Sequence, residues 1–193
     1  MVRYSLVQLS HRLLEEVLRP GDIAIDATVG NGHDTLFLAS RVGTTGKVYG
    51  FDIQQAALDG AWQRLDAAGQ AAQVALYHAG HETMGLLLPE TLQGRVRAVM
   101  FNLGYLPGGD KRRTTSASTT LAALQVALGL LVPGGVISLL AYTGHAGGRE
   151  EAELVKRWAA GLPQELFAVT VEVPPSEQGN APEWLLVWRR EGP

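Results

Sequence analysis

The chain has 193 residues, 46% of them hydrophobic and 18% charged, with a formal net charge of −3. That length and balance suit one folded domain over residues 1–193, and the absence of cysteine excludes disulfides and thiolate metal sites. No stretch approaches the roughly 18 consecutive apolar residues of a membrane span, and Gln8, His11, Arg12, Glu15 and Glu16 interrupt the N-terminal segment where a leader would be apolar, so the expected setting is cytoplasmic and away from membranes.

In chain order, apolar residues at helical spacing (Leu6, Leu9, Leu13, Leu14, Val17, Leu18) predict a helix that Pro20-Gly21 ends. Residues 23–26 (IAID) form a short apolar strand, followed by the turn TVGNGHD and a helix over about 35–41. Strand 47–51, helix 53–68, strand 74–77 and the nearly continuous apolar strand 96–101 come next. A helix over 119–131, a Pro133-Gly134-Gly135 turn, strand 136–142 and helix 150–162 precede two last strands, 166–173 and 184–190, joined by the loop PPSEQGNAP. Alternating strands and helices predict a Rossmann-like α/β fold with helices on both faces of a mostly parallel sheet. The last two strands lack a helix between them, so the seventh is expected to run antiparallel inside the sheet, as in class I methyltransferases.

The most specific constellation is the glycine turn. Asp26-Ala27-Thr28-Val29-Gly30-Asn31-Gly32 closes the first strand, where ligands of this architecture bind. Glycines there let backbone approach a ligand. Asp52 closes the second strand roughly 20 residues on, the position of a carboxylate that accepts from ribose hydroxyls. A dinucleotide such as NAD would use the same frame. However, the third small position of its fingerprint is Thr35, and Asp34 would repel a pyrophosphate. S-adenosylmethionine has no phosphate, and its cationic amino group suits Asp26 or Asp34. The expected cofactor is therefore S-adenosylmethionine, held by Asp26, Thr28, Gly30, Asn31, Gly32, Asp34, Thr35 and Asp52. Gly80-His81-Glu82, after the third strand, is placed near the adenine; for Asn31, Asp34, His81 and Glu82 a purely structural role is the competing reading.

The fourth strand ends in Asn102-Leu103-Gly104-Tyr105-Leu106-Pro107, which resembles the (N/D)PP(Y/F) motif of amino-group methyltransferases with Leu103 and Gly104 in place of the prolines. In that motif the Asn or Asp side chain accepts from the target nitrogen and aims its lone pair, a gain of orientation. Without cysteine, methylation at C5 of a pyrimidine through a covalent adduct is excluded.

DATVGNGHDTLFLA, GFDIQ, NLGYLPGGDK, the PGG turn and AYTGHAGGREE together resemble the YtqB-like/MnmM family, once described as rRNA methylases. The resemblance runs from about His11 to Glu153. It implies a class I fold, S-adenosylmethionine as cofactor with Gln54, His81, Glu82 and Asn102 joining its site, and no metal. It also implies tRNA methylation at the amine of 5-aminomethyl-(2-thio)uridine, wobble position 34. An alkylamine is largely protonated at neutral pH, so the site must handle a proton. The candidates are Tyr105, Asp110, Tyr142 and His145. Leu106, Gly108, Gly109, Lys111, Arg112, Arg113 and Tyr142 would then face the anticodon stem-loop, the three cations meeting phosphates. With a net charge of −3, RNA contact has to rest on such a local patch. A homodimer would widen that surface. Two readings compete: an N-methyltransferase acting on rRNA or a small amine, and an NAD-binding oxidoreductase or silent nucleotide-binding module.

Overall fold

The computed structural model describes residues 5–106, 108, 114–173 and 182–192. Among them are six α-helices and seven strands: α1 Leu6–Val17, β1 Ile23–Asp26, α2 His33–Val42, β2 Lys47–Asp52, α3 Gln55–Ala67, β3 Val74–His78, α4 Met84–Leu87, β4 Val96–Leu103, α5 Ala117–Leu130, β5 Leu131–Ala141, α6 Gly148–Ala160, β6 Phe167–Glu172 and β7 Glu183–Arg189. The strands form one sheet in the order β3-β2-β1-β4-β5-β7-β6. β7 pairs antiparallel with both β5 and β6, and the remaining pairings are parallel. The expected antiparallel last strand is therefore present, inserted between its two predecessors. Most of the loop expected before it lies outside the described residues.

Alternation along the strands builds two apolar layers. Ile25, Phe51, Val99, Phe101, Ile137 and Leu139 face α4, α5 and α6. Ala24, Val48, Ala98, Met100, Val136 and Leu140 face α1, α2 and α3. Helix α1 begins with a capping box, in which Ser5 and Gln8 each bond the other's backbone N–H, and its Leu6 and Leu14 are buried. No helix among the described residues is long and apolar enough to cross a membrane.

Two local features differ from the sequence expectation. The PGG turn does not precede the fifth strand but lies within it. Val96 pairs with Leu131 and Ala98 with Val136, so the extra residues bulge out. Gly134 has φ +75°, and a Cβ on Gly135 would sit 2.8 Å from the Val132 carbonyl oxygen. The segment between β3 and β4 holds α4 flanked by single 3-10 turns, too short for a periodic signal. The order of strands reverses at β1, between β2 and β4, and the crevice beyond their carboxyl ends is where this topology places a ligand.

Candidate active site

That crevice is a cavity of about 950 Å³. The glycine turn forms its floor. Gly30 and Gly32 have φ +52° and +75°, conformations that favour glycine. A Cβ on Gly32 would lie 2.6 Å from Ala61 Cβ and 2.7 Å from its Cα, so only glycine lets α3 pack on the turn.

Asp26 is fully buried beneath this floor and does not line the cavity. Its carboxylate accepts from the Thr28 backbone N–H (3.1 Å) and the Thr35 hydroxyl (2.6 Å). Burial, reinforced by the nearby Asp34 charge, pushes its pKa up to about 7. Thr35 is likewise buried, and Gly32 also stays off the cavity surface. These three build the turn from below. Thr28, Gly30, Asn31 and Asp34 do reach the cavity.

Asp52 lies at the wall with its orientation fixed. One carboxylate oxygen accepts from Gly30 N–H and the other from Gln54 N–H, both at 2.8 Å. Gln54, Ile53 and Phe51 line the cavity beside it. His81 is 7% exposed, with Nδ1 at 3.2 Å from the Ala27 carbonyl oxygen. A carbonyl only accepts, so Nδ1 carries the proton. Burial pushes the His81 pKa down, which keeps the ring neutral. Its Nε2 is then a buried acceptor with no partner among the described residues. Glu82 lines the same end of the cavity.

Asn102 closes β4. Its backbone N–H donates to Thr28 Oγ1 at 2.7 Å, which ties the strand end to the glycine turn. Its Nδ2 donates to Asp34 Oδ2 at 2.6 Å, while Asp34 Oδ1 accepts from His11 at 2.6 Å. Both oxygens of Asp34 are therefore engaged by the protein itself. Around Asn102 stand Tyr105, Leu106, Gly108, Tyr142 and His145. Tyr105 and His145 meet edge to face, with ring centroids 6.0 Å apart. His145 Nδ1 is 3.0 Å from the Ala146 carbonyl oxygen, which again assigns a proton to Nδ1, and its Nε2 is buried with no partner among the described residues. Burial and then the Asp34 charge push the Tyr142 pKa up, so this phenol keeps its proton at neutral pH. Gly109, Asp110, Lys111, Arg112 and Arg113 lie outside the described residues.

The loop that follows Asn102 is fastened at its base, a feature the sequence reading missed. Tyr105 and Thr114 form an antiparallel bridge. Gly104 N–H donates to Thr115 Oγ1 at 3.0 Å, and Thr115 N–H donates to the Gly104 carbonyl at 2.9 Å. The Thr115 and Thr120 hydroxyls each donate to the Glu151 carboxylate at 2.7 Å. Glu151 is 3% exposed. Thr115 joins the loop to α6, and Ser116 holds the N-cap position without a side-chain cap bond. Among the described residues, no group of three or more His, Asp or Glu side chains is placed to hold a metal.

Known proteins resemble this chain in sequence and in fold. The chain is 45% identical over 169 residues to the chloroplastic tRNA (mnm(5)s(2)U34)-methyltransferase of Arabidopsis thaliana, covering 83% of this chain and 61% of the plant protein. It therefore spans about three-fifths of that relative's length. A crystal structure described as a putative rRNA-methylase from Clostridium thermocellum superposes with a TM-score of 0.92 at 36% identity, covering 98% of this chain and 100% of the other. A putative methyltransferase from Streptococcus mutans, solved in complex with SAH, gives a TM-score of 0.85 at 34% identity over 98% and 99% of the two chains. The profile of the family described as "Putative rRNA methylase" matches residues 48–189, which takes in the Asn102 loop and the C-terminal strands. The chain thus belongs to the Putative rRNA methylase family and has the class I methyltransferase fold.

Proposed function

We propose that this protein uses S-adenosylmethionine to methylate the primary amine of 5-aminomethyl-(2-thio)uridine at wobble position 34 of tRNA. The observation that carries the reading is Asn102, held by Thr28 and Asp34 at the cavity wall with its amide NH₂ turned away into the protein. That leaves a carbonyl oxygen suited to accept from an amine N–H. The plant relative named for mnm(5)s(2)U34 chemistry supports the same target.

The cavity's residues fit the cofactor. Asp52, braced by two backbone amides, suits a ribose diol, and the orphaned His81 Nε2 suits the N–H of an adenine amino group. Gly30, Asn31, Gln54 and Glu82 complete that side of the site. When bound, the cofactor supplies an electrophilic methyl on a sulfonium. The chain's own residues orient the amine and receive its proton. Asn102 accepts one N–H and thereby aims the lone pair. His145, whose buried Nε2 has no partner among the described residues, is the proposed proton acceptor, since Tyr142 keeps its proton; Asp110 is the alternative. The proposed tRNA substrate would approach over residues 106–113, with Lys111, Arg112 and Arg113 on the anticodon phosphates. A cytoplasmic setting and a homodimer that widens this surface belong to the same reading.

Methyl transfer measured on three acceptors tests it. tRNA carrying the aminomethyl group should be methylated, and unmodified transcript and free alkylamines should not. Equal activity on free amines would move the assignment to small-molecule N-methylation.

A further inference from the structure

Three side chains run in series from the N-terminal helix into the cavity. His11 Nε2 lies 2.6 Å from Asp34 Oδ1, and Asn102 Nδ2 lies 2.6 Å from Asp34 Oδ2. Both separations are at the short end for bonds to a carboxylate. Chemistry fixes the direction of each bond. An ionised carboxylate only accepts, so His11 carries its proton on Nε2 and Asn102 turns its NH₂ toward Asp34. The asparagine oxygen is then the amide atom presented to the cavity that Asn102 lines. An asparagine has no preference of its own between its two amide orientations; its partners decide. In the reversed orientation, two N–H donors would face the target nitrogen, compete for its lone pair and offer no acceptor for its hydrogens.

We infer that Asp34 and His11 are positioning residues for amine methylation: Asp34 locks Asn102 with its oxygen toward the target, and His11 locks Asp34. The inference rests on the reading of Asn102 as the acceptor for the target amine. His11 is built for the task. Its ring stacks on Phe37, centroids 3.9 Å apart and planes within 3°, and Phe37 stands three residues beyond Asp34 on α2. The preceding residue, Ser10, is fully buried with its hydroxyl 2.9 Å from Ser138 Oγ, which also accepts from Trp184 Nε1 at 2.9 Å. Helix α1 is thus tied to β5 and β7 one residue before it reaches Asp34. His11 itself does not line the cavity and acts through Asp34.

Turnover at saturating cofactor and tRNA, with cofactor affinity followed by calorimetry, tests this in His11→Ala, His11→Gln and Asp34→Asn. Misorienting a positioned group costs up to roughly 100-fold in rate, so kcat should fall about tenfold in His11→Ala and about 100-fold in Asp34→Asn. Cofactor Kd should stay within about threefold in both, because the lost bonds orient Asn102 and not the cofactor. His11→Gln keeps an N–H for Asp34 and should recover most of kcat. Before any substrate is added, ¹⁵N NMR should find the His11 proton on Nε2 and one Asn102 side-chain amide proton shifted downfield, a shift lost in Asp34→Asn. Absence of that shifted proton in the unaltered protein overturns the inference. So does a Kd that rises more than kcat falls, which would put Asp34 on the cofactor's ammonium. Asn102→Ala separates this inference from the reading beneath it. If that variant is inactive while His11→Ala and Asp34→Asn turn over normally, the lock alone is wrong. If Asn102→Ala is fully active, the role of Asn102 falls as well.

Discussion

Two glycines a helix apart should respond to the same substitution with opposite signs. Gly32 caps α2 at φ +75°, and a Cβ there would meet Ala61 at 2.6–2.7 Å, including backbone. A non-glycine residue in the left-handed region costs about 1–2 kcal/mol, and forcing a methyl into a packed contact typically costs about 1–3 kcal/mol more. Gly32→Ala should therefore lose roughly 2–5 kcal/mol, and at roughly 2–4 °C per kcal/mol for a chain of this size its Tm should drop by about 4–20 °C. Gly60 lies one residue before Ala61, inside α3, with nothing within 4 Å of its Cβ position. Gly60→Ala should gain about 0.5–1 kcal/mol from helix propensity alone. Urea titration of both variants reads the two signs directly. A Gly32→Ala loss below about 1 kcal/mol, less than the smallest cost of the backbone conformation alone, would refute the packing of turn against helix described above.

Other perturbations probe other parts of the site. Asp26 has its folded pKa raised to about 7 from an ordinary 3.8. Its contribution to stability is full below about pH 4 and is lost as pH rises through 7, because the fold holds the proton. Relative to Asp26→Asn, the unaltered protein should lose about 2–3 kcal/mol between pH 5 and pH 8, read by urea titration at each pH; a constant difference would contradict the burial argument. Asp52→Ala should weaken S-adenosylmethionine binding about 10- to 100-fold by calorimetry, since it removes the proposed ribose acceptor and frees two backbone amides. Unchanged affinity would count against that role. Glu151→Ala strips the shared acceptor from Thr115 and Thr120 and should cost roughly 2–4 kcal/mol. It should lower kcat more than cofactor affinity, because the loop base is loosened; a stability change under about 0.5 kcal/mol would show that the latch carries no weight.

Much of this was legible in the chain's local patterns. Apolar runs alternating with 3.6-residue periodicity predict the parallel sheet, and two adjacent strands without an intervening helix predict the antiparallel insertion. A glycine turn after one strand and an aspartate after the next locate the cavity, and Asn102 at a strand end lines it. What escaped depends on contacts between distant segments. His11 and Asp34 are 23 residues apart, and Asp34 and Asn102 are 68 apart. Only the crossing of α1 over α2, and the adjacency of β1 and β4, bring them together. Glu151 serves hydroxyls 31 and 36 residues away, so nothing in the local run GGREE distinguishes it from a solvated helix face. Asp26 and Thr35 sit in the right motif but one layer too deep. Their spacing places them at the turn, and burial decides that they support it from below. The PGG segment reads as a turn because Pro and Gly break ladders; the register shift that absorbs it inside β5 is set by the neighbouring strand.

The central claim is methylation of a wobble-uridine amine. It is tested most directly by incubating the protein and labelled S-adenosylmethionine with bulk tRNA from cells lacking this gene, then resolving the nucleosides by mass spectrometry. The account predicts that 5-aminomethyl-2-thiouridine gains one methyl, placed on the side-chain nitrogen by fragmentation, and that Asn102→Ala abolishes the gain. Label appearing in any other nucleoside, with the aminomethyl nucleoside unchanged, would contradict it.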